Sequence, residues 1–432
     1  MMIRSLTATA SMIASAIVIV MSAEAQSVDD AISAALKHNP QIAIGQADTQ
    51  AAKADRFGAL GELLPSVSAS ISASDESWRS SELERLRAED GVTYSVQFSQ
   101  PVFQGGSAWN GLKDARASVQ AQRLLEKENR QSVAQSAAIA HAALTLDREI
   151  VQHRIQSLDL LMQQVEFTDR RREAGAESLI AVSQARARMQ QEKADLVRAE
   201  ATLAASEAAY FRQTGQMPDG VLVPDHSRLM EEIISAADAM AQAMKSNPGL
   251  LARDDLVSAA RFGQRSAQGK LAPRVSVDGE YNAYDLEDSA FPSGIPGEDN
   301  EFQVVARVTV PLFQKGQNYS GIQSARARLA REEAARRDTR LEIEEIVTAN
   351  WNTLKAAEAT IEAAEAAVEA GEIVVEGQQA EYRSGSTSIQ DVLDGQRDLV
   401  FARISLSQAE FDYRRARYLL LAITNRLAPP EG

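Results

Sequence analysis

The sequence is duplicated within itself, and this constrains the fold more than any other feature of its 432 residues. Four landmarks recur in order, and they are Asn39, Pro65, Pro101 and Gly175 in the first half and Asn247, Pro273, Pro311 and Gly385 in the second. The first two landmarks of each half are 26 residues apart, and the last two are 74 residues apart. Because a fixed repeat indicates one supersecondary unit built twice, we expect two structural repeats.

Each repeat reads as a helix, a strand hairpin and a long helical hairpin. The first predicted repeat covers 26–217, with strands at about 65–103 and a helical turn at 175. A linker or equatorial segment follows at 218–246. The second predicted repeat covers 247–432, with strands at about 273–313 and a helical turn at 385. We expect one opening helix from Val28 to about Glu62. Leu112 to Ala174 contains no Gly or Pro, so a helix of about 95 Å is predicted there.

The strands alternate in polarity. Ser66 to Ala73 places small polar and apolar residues in turn, which is the period-2 pattern of a strand with two different faces. Two strands in each repeat give four in the chain, whereas a transmembrane barrel needs about eight or more. If these strands enter a membrane, several chains must therefore share one barrel, although a soluble β-sandwich would show the same alternation.

Composition excludes several functional classes. The chain has no cysteine, and its four histidines are scattered, so we expect no thiol chemistry, no metal site and no cofactor. A net charge of −15 disfavours nucleic acid. A secreted hydrolase would need a nucleophile–base motif such as Gly-x-Ser-x-Gly or a metal motif such as His-Glu-x-x-His. Neither occurs, so the chain is not expected to be an enzyme.

The first 25 residues predict export. Arg4 precedes an apolar stretch from Met12 to Met21, and Ala23-Glu-Ala follows, which is the order of a secretory signal peptide with cleavage before Gln26. After this segment no run of 18 apolar residues occurs. Any membrane crossing by the mature chain is therefore expected to use strands.

Several stretches resemble the TolC family of outer-membrane efflux and type I secretion channels. The most specific runs from Tyr382 to Asp394 (Tyr-Arg-Ser-Gly-Ser-Thr-Ser-Ile-Gln-Asp-Val-Leu-Asp), and Gln100-Pro-Val-Phe closes a predicted strand. The resemblance implies a mostly α-helical homotrimer with a coiled-coil tunnel in the periplasm and a 12-strand β-barrel among the lipids of the outer membrane. It also implies a periplasmic adaptor and an inner-membrane transporter of ABC or RND type as partners, with proteins or small toxic molecules as cargo.

By the same resemblance, specific residues acquire roles. The pore constriction corresponds to Tyr382, Thr387, Asp391 and Asp394, and adaptor docking to Gly175, Ser178, Gly385 and Ser388. Threefold symmetry would gather six carboxylates from Asp391 and Asp394, favour cations and raise the pKa of those groups by repulsion. Read alone, the glycines are plain helix stops and the aspartates a solvated helix surface.

The resemblance breaks at two gate positions. Thr387 stands where the family carries an arginine, and Ala181 stands where it carries an aspartate. We therefore expect other contacts to hold the closed state, with Arg383, Gln184 and Gln390 as candidates. The alternative function is a periplasmic coiled-coil adaptor or scaffold without a pore, which would explain the helices but not the duplicated strand hairpins.

Overall fold

The computed structural model describes residues 26–74, 91–218, 220, 222–223, 235–286 and 300–429. The predicted signal peptide lies outside these residues. The first repeat contains β1 (Gln26–Ser27), α1 (Val28–His38), α2 (Pro40–Gly61), β2 (Ser66–Ser74), β3 (Gly91–Gln104), α3 (Ser107–Glu173) and α4 (Leu179–Thr214). The elements that follow are β4 (Leu222–Val223), α5 (Ala236–Ser246), α6 (Pro248–Gly269), β5 (Arg274–Leu286), β6 (Asn300–Thr309), α7 (Gln317–Ser384) and α8 (Ile389–Ile423).

The helix expected from Val28 to about Glu62 is divided in two at Asn39. The Asn39 backbone is extended, with φ −70° and ψ 125°, and its side-chain oxygen accepts a hydrogen bond of 3.0 Å from the Gln41 amide. Pro40 has no N–H to donate to the preceding helix and suits the first position of a new one. Asn-Pro therefore ends α1 and starts α2.

The same junction recurs in the second repeat. Asn247 ends α5 and caps α6, and its side-chain oxygen accepts from the Leu250 amide at 3.0 Å. The helices α5 and α6 have the same lengths as α1 and α2, with 11 and 22 residues. This equivalence extends the similarity of the two halves back to Ala236, before the start at 247 expected from the sequence.

Four strands form one antiparallel sheet in the order β2-β3-β5-β6. One face carries apolar side chains, such as Val67 opposite Phe98 and Tyr281 opposite Phe302. The other face is polar, and there Ser99 donates to Asp278 at 2.7 Å while Arg307 lies 3.4 Å from the same carboxylate. The predicted two-faced strand hairpins are therefore present, and they join through the β3–β5 pair.

The long helices extend from the sheet as two antiparallel hairpins. The 67 residues of α3 and the 68 residues of α7 each correspond to about 100 Å of helix. α4 packs on α3, α3 packs on α8, and α8 packs on α7, so α4 and α7 are the outer helices of this group. Within the described residues, no helix combines the length and the apolar character that crossing a membrane requires.

The largest apolar cluster lies where α1 meets α3 and the end of α8. Val28, Ile32, Tyr418, Leu421 and Leu427 are among its fully buried members. A second cluster lies about 30 residues further along α8, at the turns of the two long hairpins. Buried apolar clusters thus stabilise the molecule near its middle and at the end formed by the helical turns. The sheet lies at the opposite end.

Candidate functional site

The two long hairpins reverse through turns of the same backbone design. Gly175 and Gly385 have φ values of +76° and +81°, in the left-handed region that glycine adopts without strain. The backbone amide of the residue after each glycine donates a hydrogen bond to a carbonyl in the last turn of the preceding helix. Ala176 donates to the Arg171 carbonyl at 2.8 Å, and Ser386 donates to the Glu381 carbonyl at 2.9 Å. Both glycines therefore have a structural reason to be glycine.

A serine starts the returning helix after each turn. The Ser178 hydroxyl accepts from the Ala181 amide at 3.1 Å, and the Ser388 hydroxyl accepts from the Asp391 amide at 3.3 Å. These are N-cap bonds, which satisfy amides that the first helical turn leaves open. The four residues expected to dock an adaptor, Gly175, Ser178, Gly385 and Ser388, are thus turn and cap residues, and all four are exposed.

Asp391 is held at the start of α8. Its Oδ2 atom accepts from the hydroxyl of Ser388 at 2.5 Å, from the amide of Ser388 at 3.1 Å and from the hydroxyl of Thr387 at 2.9 Å. Hydrogen bonds to a carboxylate stabilise its ionised form, so the bonds from Ser388 and then Thr387 lower the pKa of Asp391. The increase in pKa expected from the sequence requires neighbouring copies and stays a prediction; within one chain the shift has the opposite sign.

Asp394, one helical turn further, is paired with arginine. Its Oδ1 atom lies 3.1 Å from Arg188 of α4 and 3.4 Å from Arg397 of α8. Two positive charges therefore lie beside the Asp394 carboxylate, which the family resemblance assigns to the pore constriction. Thr387, another expected constriction residue, is half-buried, and its hydroxyl donates a hydrogen bond to the Asp391 carboxylate.

Tyr382 lies at the centre of the site. It is only 3% exposed, and its hydroxyl donates to Glu177 at 3.0 Å and lies 3.4 Å from the Thr168 hydroxyl. Arg171 donates to the Tyr382 carbonyl at 3.1 Å and stacks 5.0 Å from the centre of its ring. Burial is the main cause of a raised Tyr382 pKa, so the phenol keeps its proton. We call Tyr382, Thr168, Arg171 and Glu177 the clasp, because these four residues join the first turn to the second.

An apolar cluster supports the clasp from below. Ala181, Ala185, Ile389, Val392 and Leu393 are buried in it together with the Tyr382 ring. Phe167 adds an edge-on contact with that ring, with 6.0 Å between ring centres. Ala181, where the family pattern has an aspartate, is thus a small packing residue that lets the α4 and α8 starts lie close together.

Sequence reasoning missed Arg171, Glu177 and Arg188. The three residues expected to replace the family's polar links, Arg383, Gln184 and Gln390, have exposed side chains, and within the described residues no side-chain hydrogen bond or ion pair is found for them. The available signal was the run Arg170-Arg171-Arg172 immediately before the turn, with Glu177 two residues beyond Gly175. A cationic run beside a helix end also complements the helix dipole, so the run alone could not identify the clasp.

Comparison with known proteins covers nearly the whole chain. The model of the family described as "Outer membrane efflux protein" matches residues 31–216 and 239–426. The outer membrane efflux protein BepC of Brucella suis is 26% identical over 335 residues, which is 78% of this chain and 72% of BepC. The outer membrane protein TolC of Vibrio cholerae is 26% identical over 407 residues, or 90% of this chain and 88% of TolC.

Solved structures share the fold. The outer membrane protein VceC of Vibrio cholerae superimposes with a TM-score of 0.79 at 20% identity, over 92% of this chain and 96% of VceC. The outer membrane channel CmeC of Campylobacter jejuni gives 0.79 at 16% identity, over 92% and 85% of the respective chains. At these identities the likeness concerns the fold alone.

Proposed function

This chain belongs to the outer membrane efflux protein family, and we propose that it is the exit duct of a tripartite export system. As an outer-membrane channel protein, it has its long helices in the periplasm. In the proposed system an inner-membrane ABC or RND-type transporter supplies the energy, and a periplasmic adaptor joins it to this channel. Proteins or small toxic molecules are the proposed cargo.

The observation that carries the proposal is the sheet with two open edges. Among the described strands, β2 and β6 each pair on one side only. Apolar side chains line one face, and Val67, Ile71 and Phe302 are each about 70% exposed. An unpaired edge costs several kcal/mol per group in lipid, so the edges must find partners in other copies. Three chains would give a closed barrel of 12 strands, the homotrimer that the family resemblance implies.

The clasp supports a role for the turns in closing the duct. It ties the α7–α8 turn to the α3–α4 turn within one copy, which holds both hairpin ends close together. Opening the tunnel end would require the hairpins to separate, and the clasp bonds of Tyr382 would then break. Tyr382 and Thr387 are therefore proposed to act at the constriction together with Asp391 and Asp394.

The two aspartates are proposed to contribute unequally to ion preference. Asp394 is compensated by Arg188 and Arg397, whereas Asp391 accepts hydrogen bonds from Ser388 and Thr387, which favour its charged form. A ring of Asp391 side chains would favour cations. The exposed turn residues Gly175, Ser178, Gly385 and Ser388 are proposed to meet the adaptor, since they lie at the tip most distant from the sheet.

Channel formation is tested by purification from outer membranes, electrophoresis without heating and conductance in planar bilayers. We expect a heat-sensitive trimer that conducts. Ile71→Asp places a charge on the apolar face near the middle of β2 and should lower the yield of inserted trimer, whereas its neighbour Ser70→Asp lies on the polar face and should insert and conduct. A soluble periplasmic protein without conductance would contradict the proposal and favour the adaptor or scaffold alternative.

A further inference from the structure

The helix ends next to the sheet are basic, although the whole chain carries a net charge of −15. Two stretches there, 256–274 and 313–331, contain four Lys or Arg residues each and no carboxylate. They cover the end of α6 with the start of β5, and the start of α7. The first residues of α3, 107–125, contain three cations and only one carboxylate. So local an excess of positive charge in an acidic chain indicates a negatively charged partner at this height.

Two of these cations share an aromatic ring. The ammonium of Lys113 on α3 lies over the Phe262 ring of α6, 5.7 Å from its centre, and the guanidinium of Arg265 lies 5.7 Å from the same centre. The face of a ring attracts cations, so Phe262 holds charges from two helices in one place. Arg116 lies one turn from Lys113 on α3, and all three cations are exposed. We call Lys113, Arg116, Arg265 and Phe262 the basic cluster.

The cations of the basic cluster have no carboxylate partner. Within the described part of the chain, no ion pair is found for Lys113, Arg116 or Arg265. Arg261, one turn from Arg265 on the same helix, is in contrast paired with Glu333 of α7 at 3.3 Å. The cluster is therefore the part of this basic surface whose charge is not compensated.

Asp114 is the one carboxylate near the cluster in the sequence, and it is turned away from it. A Cβ added to Gly263 of α6 would lie 2.9 Å from the Asp114 carboxylate, which also accepts a hydrogen bond from Ser118 at 3.4 Å. Partial burial raises the pKa of Asp114, against the opposing effects of Ser118 and Arg328. Asp114 thus has partners of its own, and the cluster is left for a partner outside the chain.

The basic cluster lies on the outer face of the helical wall. Ala134 of α3 packs on α1 in the cluster at the middle of the molecule, and Gln131 donates to Asn425 near the C-terminus at 2.9 Å. Eighteen residues make five turns of helix, so Arg116 lies on the same face as Ala134 and Lys113 on the same face as Gln131. Because a duct needs an open interior, the face that carries this additional layer is the outside.

The height of the cluster matches a layer of lipid headgroups. Lys113 is about 9 Å from the start of α3, and Arg265 is about 6 Å from the end of α6. Each polar headgroup region of a bilayer is about 5 to 8 Å thick. The apolar face of the sheet continues to a row close to these helices, in which Val275 pairs with Phe103 and Val308. The cations therefore follow the apolar surface at the depth where phosphates follow acyl chains.

An exposed tryptophan lies between the apolar row and the cations. Trp109 is 57% exposed and precedes Lys113 by one turn on the same face of α3. Tryptophan is typical of the membrane–water interface. Side chains of a helix lean towards its N-terminus, which for α3 is the end at the sheet, so Lys113 and Arg116 extend towards the membrane. The order of apolar row, tryptophan and cations is the order of the layers in a lipid leaflet.

We propose that the basic cluster binds the phosphate group of an anionic phospholipid in the periplasmic leaflet of the outer membrane. Lys113 and Arg265 would hold the phosphate from two helices by charge-assisted hydrogen bonds, with Trp109 against the upper part of the acyl chains. The long helices lie in the periplasm, so the leaflet at this height is the periplasmic one. The inference rests on the proposed function, because it takes the sheet to cross the membrane and α1 to lie outside the duct.

A phospholipid fits this surface better than a soluble anion does. A free phosphate would need the cations alone, whereas the surface offers Trp109 and an apolar row directly beside them. Basic pockets at the membrane surface recognise anionic headgroups in this way. Each cation near such a headgroup contributes about fivefold to binding, so the three cations together distinguish an anionic lipid from a zwitterionic one.

Lipid binding to the purified trimer tests the site. Delipidated trimer in a nonionic detergent is titrated with phosphatidylglycerol or with phosphatidylcholine of the same chain length, and bound lipids are counted by native mass spectrometry. We expect one tightly held phosphatidylglycerol per chain, bound at least about fivefold more tightly than phosphatidylcholine. Lys113→Gln with Arg265→Gln should weaken phosphatidylglycerol binding about 25-fold, and Arg116→Gln alone about fivefold.

Lys127→Gln is the matched control. Lys127 is exposed on the same face of α3 but lies 14 residues, or about 21 Å, further from the sheet than Lys113. Its substitution should leave binding unchanged within about twofold, because the headgroup layer does not reach it. Lys113→Arg with Arg265→Lys keeps both charges and should retain most of the binding. Every variant is also assayed for a heat-sensitive trimer and for conductance.

The outcomes separate this inference from the proposed function. A conducting trimer that binds both lipids equally, or that prefers lipopolysaccharide, overturns the inference and leaves the channel intact. Equal losses from Lys127→Gln and Arg116→Gln also overturn it, because they would show a diffuse charge effect. Complete displacement of the lipid by millimolar inorganic phosphate would identify a soluble anion as the ligand instead. A wild-type chain with neither trimer nor conductance refutes the proposed function and the inference with it.

Discussion

The α3–α4 turn and the α7–α8 turn have the same backbone conformation but carry different side chains. Both use a left-handed glycine and a serine N-cap, at positions related by the 210-residue shift of the repeat. The residues after the serines differ in exposure, since Leu179 is 67% exposed and Ile389 only 4%. The duplicated backbone thus persisted while the side chains diverged.

The divergence makes the clasp asymmetric. Tyr382 of the second turn corresponds to Arg172 of the first, and Asp391 corresponds to Ala181. The second turn therefore supplies the aromatic ring and a carboxylate cap, and the first supplies Arg171 and Glu177 that bind the ring. Each of these bonds joins unlike groups, one from each turn, and the equivalent positions of the other turn do not carry the same side chains.

The largest expected effect comes from Tyr382. Tyr382→Ala removes a buried ring from the apolar cluster and should destabilise the hairpin end by about 3 kcal/mol. Amide hydrogen exchange in the α7–α8 turn measures the loss, and single-channel conductance should rise if the clasp holds the duct closed. The matched Arg172→Ala removes only an exposed ion pair with Asp169 and should change little. Equal effects of the two variants would refute the asymmetry.

The second effect concerns Arg171. Arg171→Ala removes the bond to the Tyr382 carbonyl and the stacking on its ring, with an expected loss of about 1.5 kcal/mol. Its counterpart in the other repeat, Glu381, has an exposed side chain, so Glu381→Ala should leave exchange in both turns unchanged. Faster exchange after Glu381→Ala than after Arg171→Ala would show that the clasp is not centred on the arginine.

A smaller difference is expected between the two caps. Ser388→Ala removes an N-cap that is bonded in both directions, since the Asp391 carboxylate also binds the Ser388 amide. Ser178→Ala removes a single cap bond. We expect losses of about 1 kcal/mol for Ser388 and about 0.5 kcal/mol for Ser178. Exchange rates of the first amides of α8 and α4 provide the comparison.

The smallest expected effect is a dependence of the stability of the α8 start on pH. The pKa of Asp391 is lowered from its ordinary value of 3.8, so its cap stabilises α8 above that value and is lost as the pH falls below it. Exchange at the α8 start, corrected for the intrinsic rate, should therefore increase below about pH 3.8, and Asp391→Asn should remove that dependence. The α4 start has Ala181 at this position and should lack the transition. The same acid dependence in both turns would assign it to another group.

Much of the fold could be predicted because its signals are local. The alternation of Ser66 to Ala73 lies within one strand, and Gly175 and Gly385 mark turns by their own backbone freedom. The break at Asn39 was missed although its signal is also local, because the apolar pattern continues across Pro40. Of the site, the sequence indicated Tyr382, Thr387, Asp391 and Asp394 only through the family resemblance.

The sequence by itself determined the duplication, the two helical hairpins and the two-faced strands, because each depends on periodicity or on special residues within a short segment. Only the tertiary structure decided that β3 pairs with β5, that Arg188 neutralises Asp394 and that Arg171 and Glu177 hold Tyr382. These contacts join residues about 200 positions apart. No local pattern records them, because they depend on how two hairpins that are distant in the sequence pack against each other.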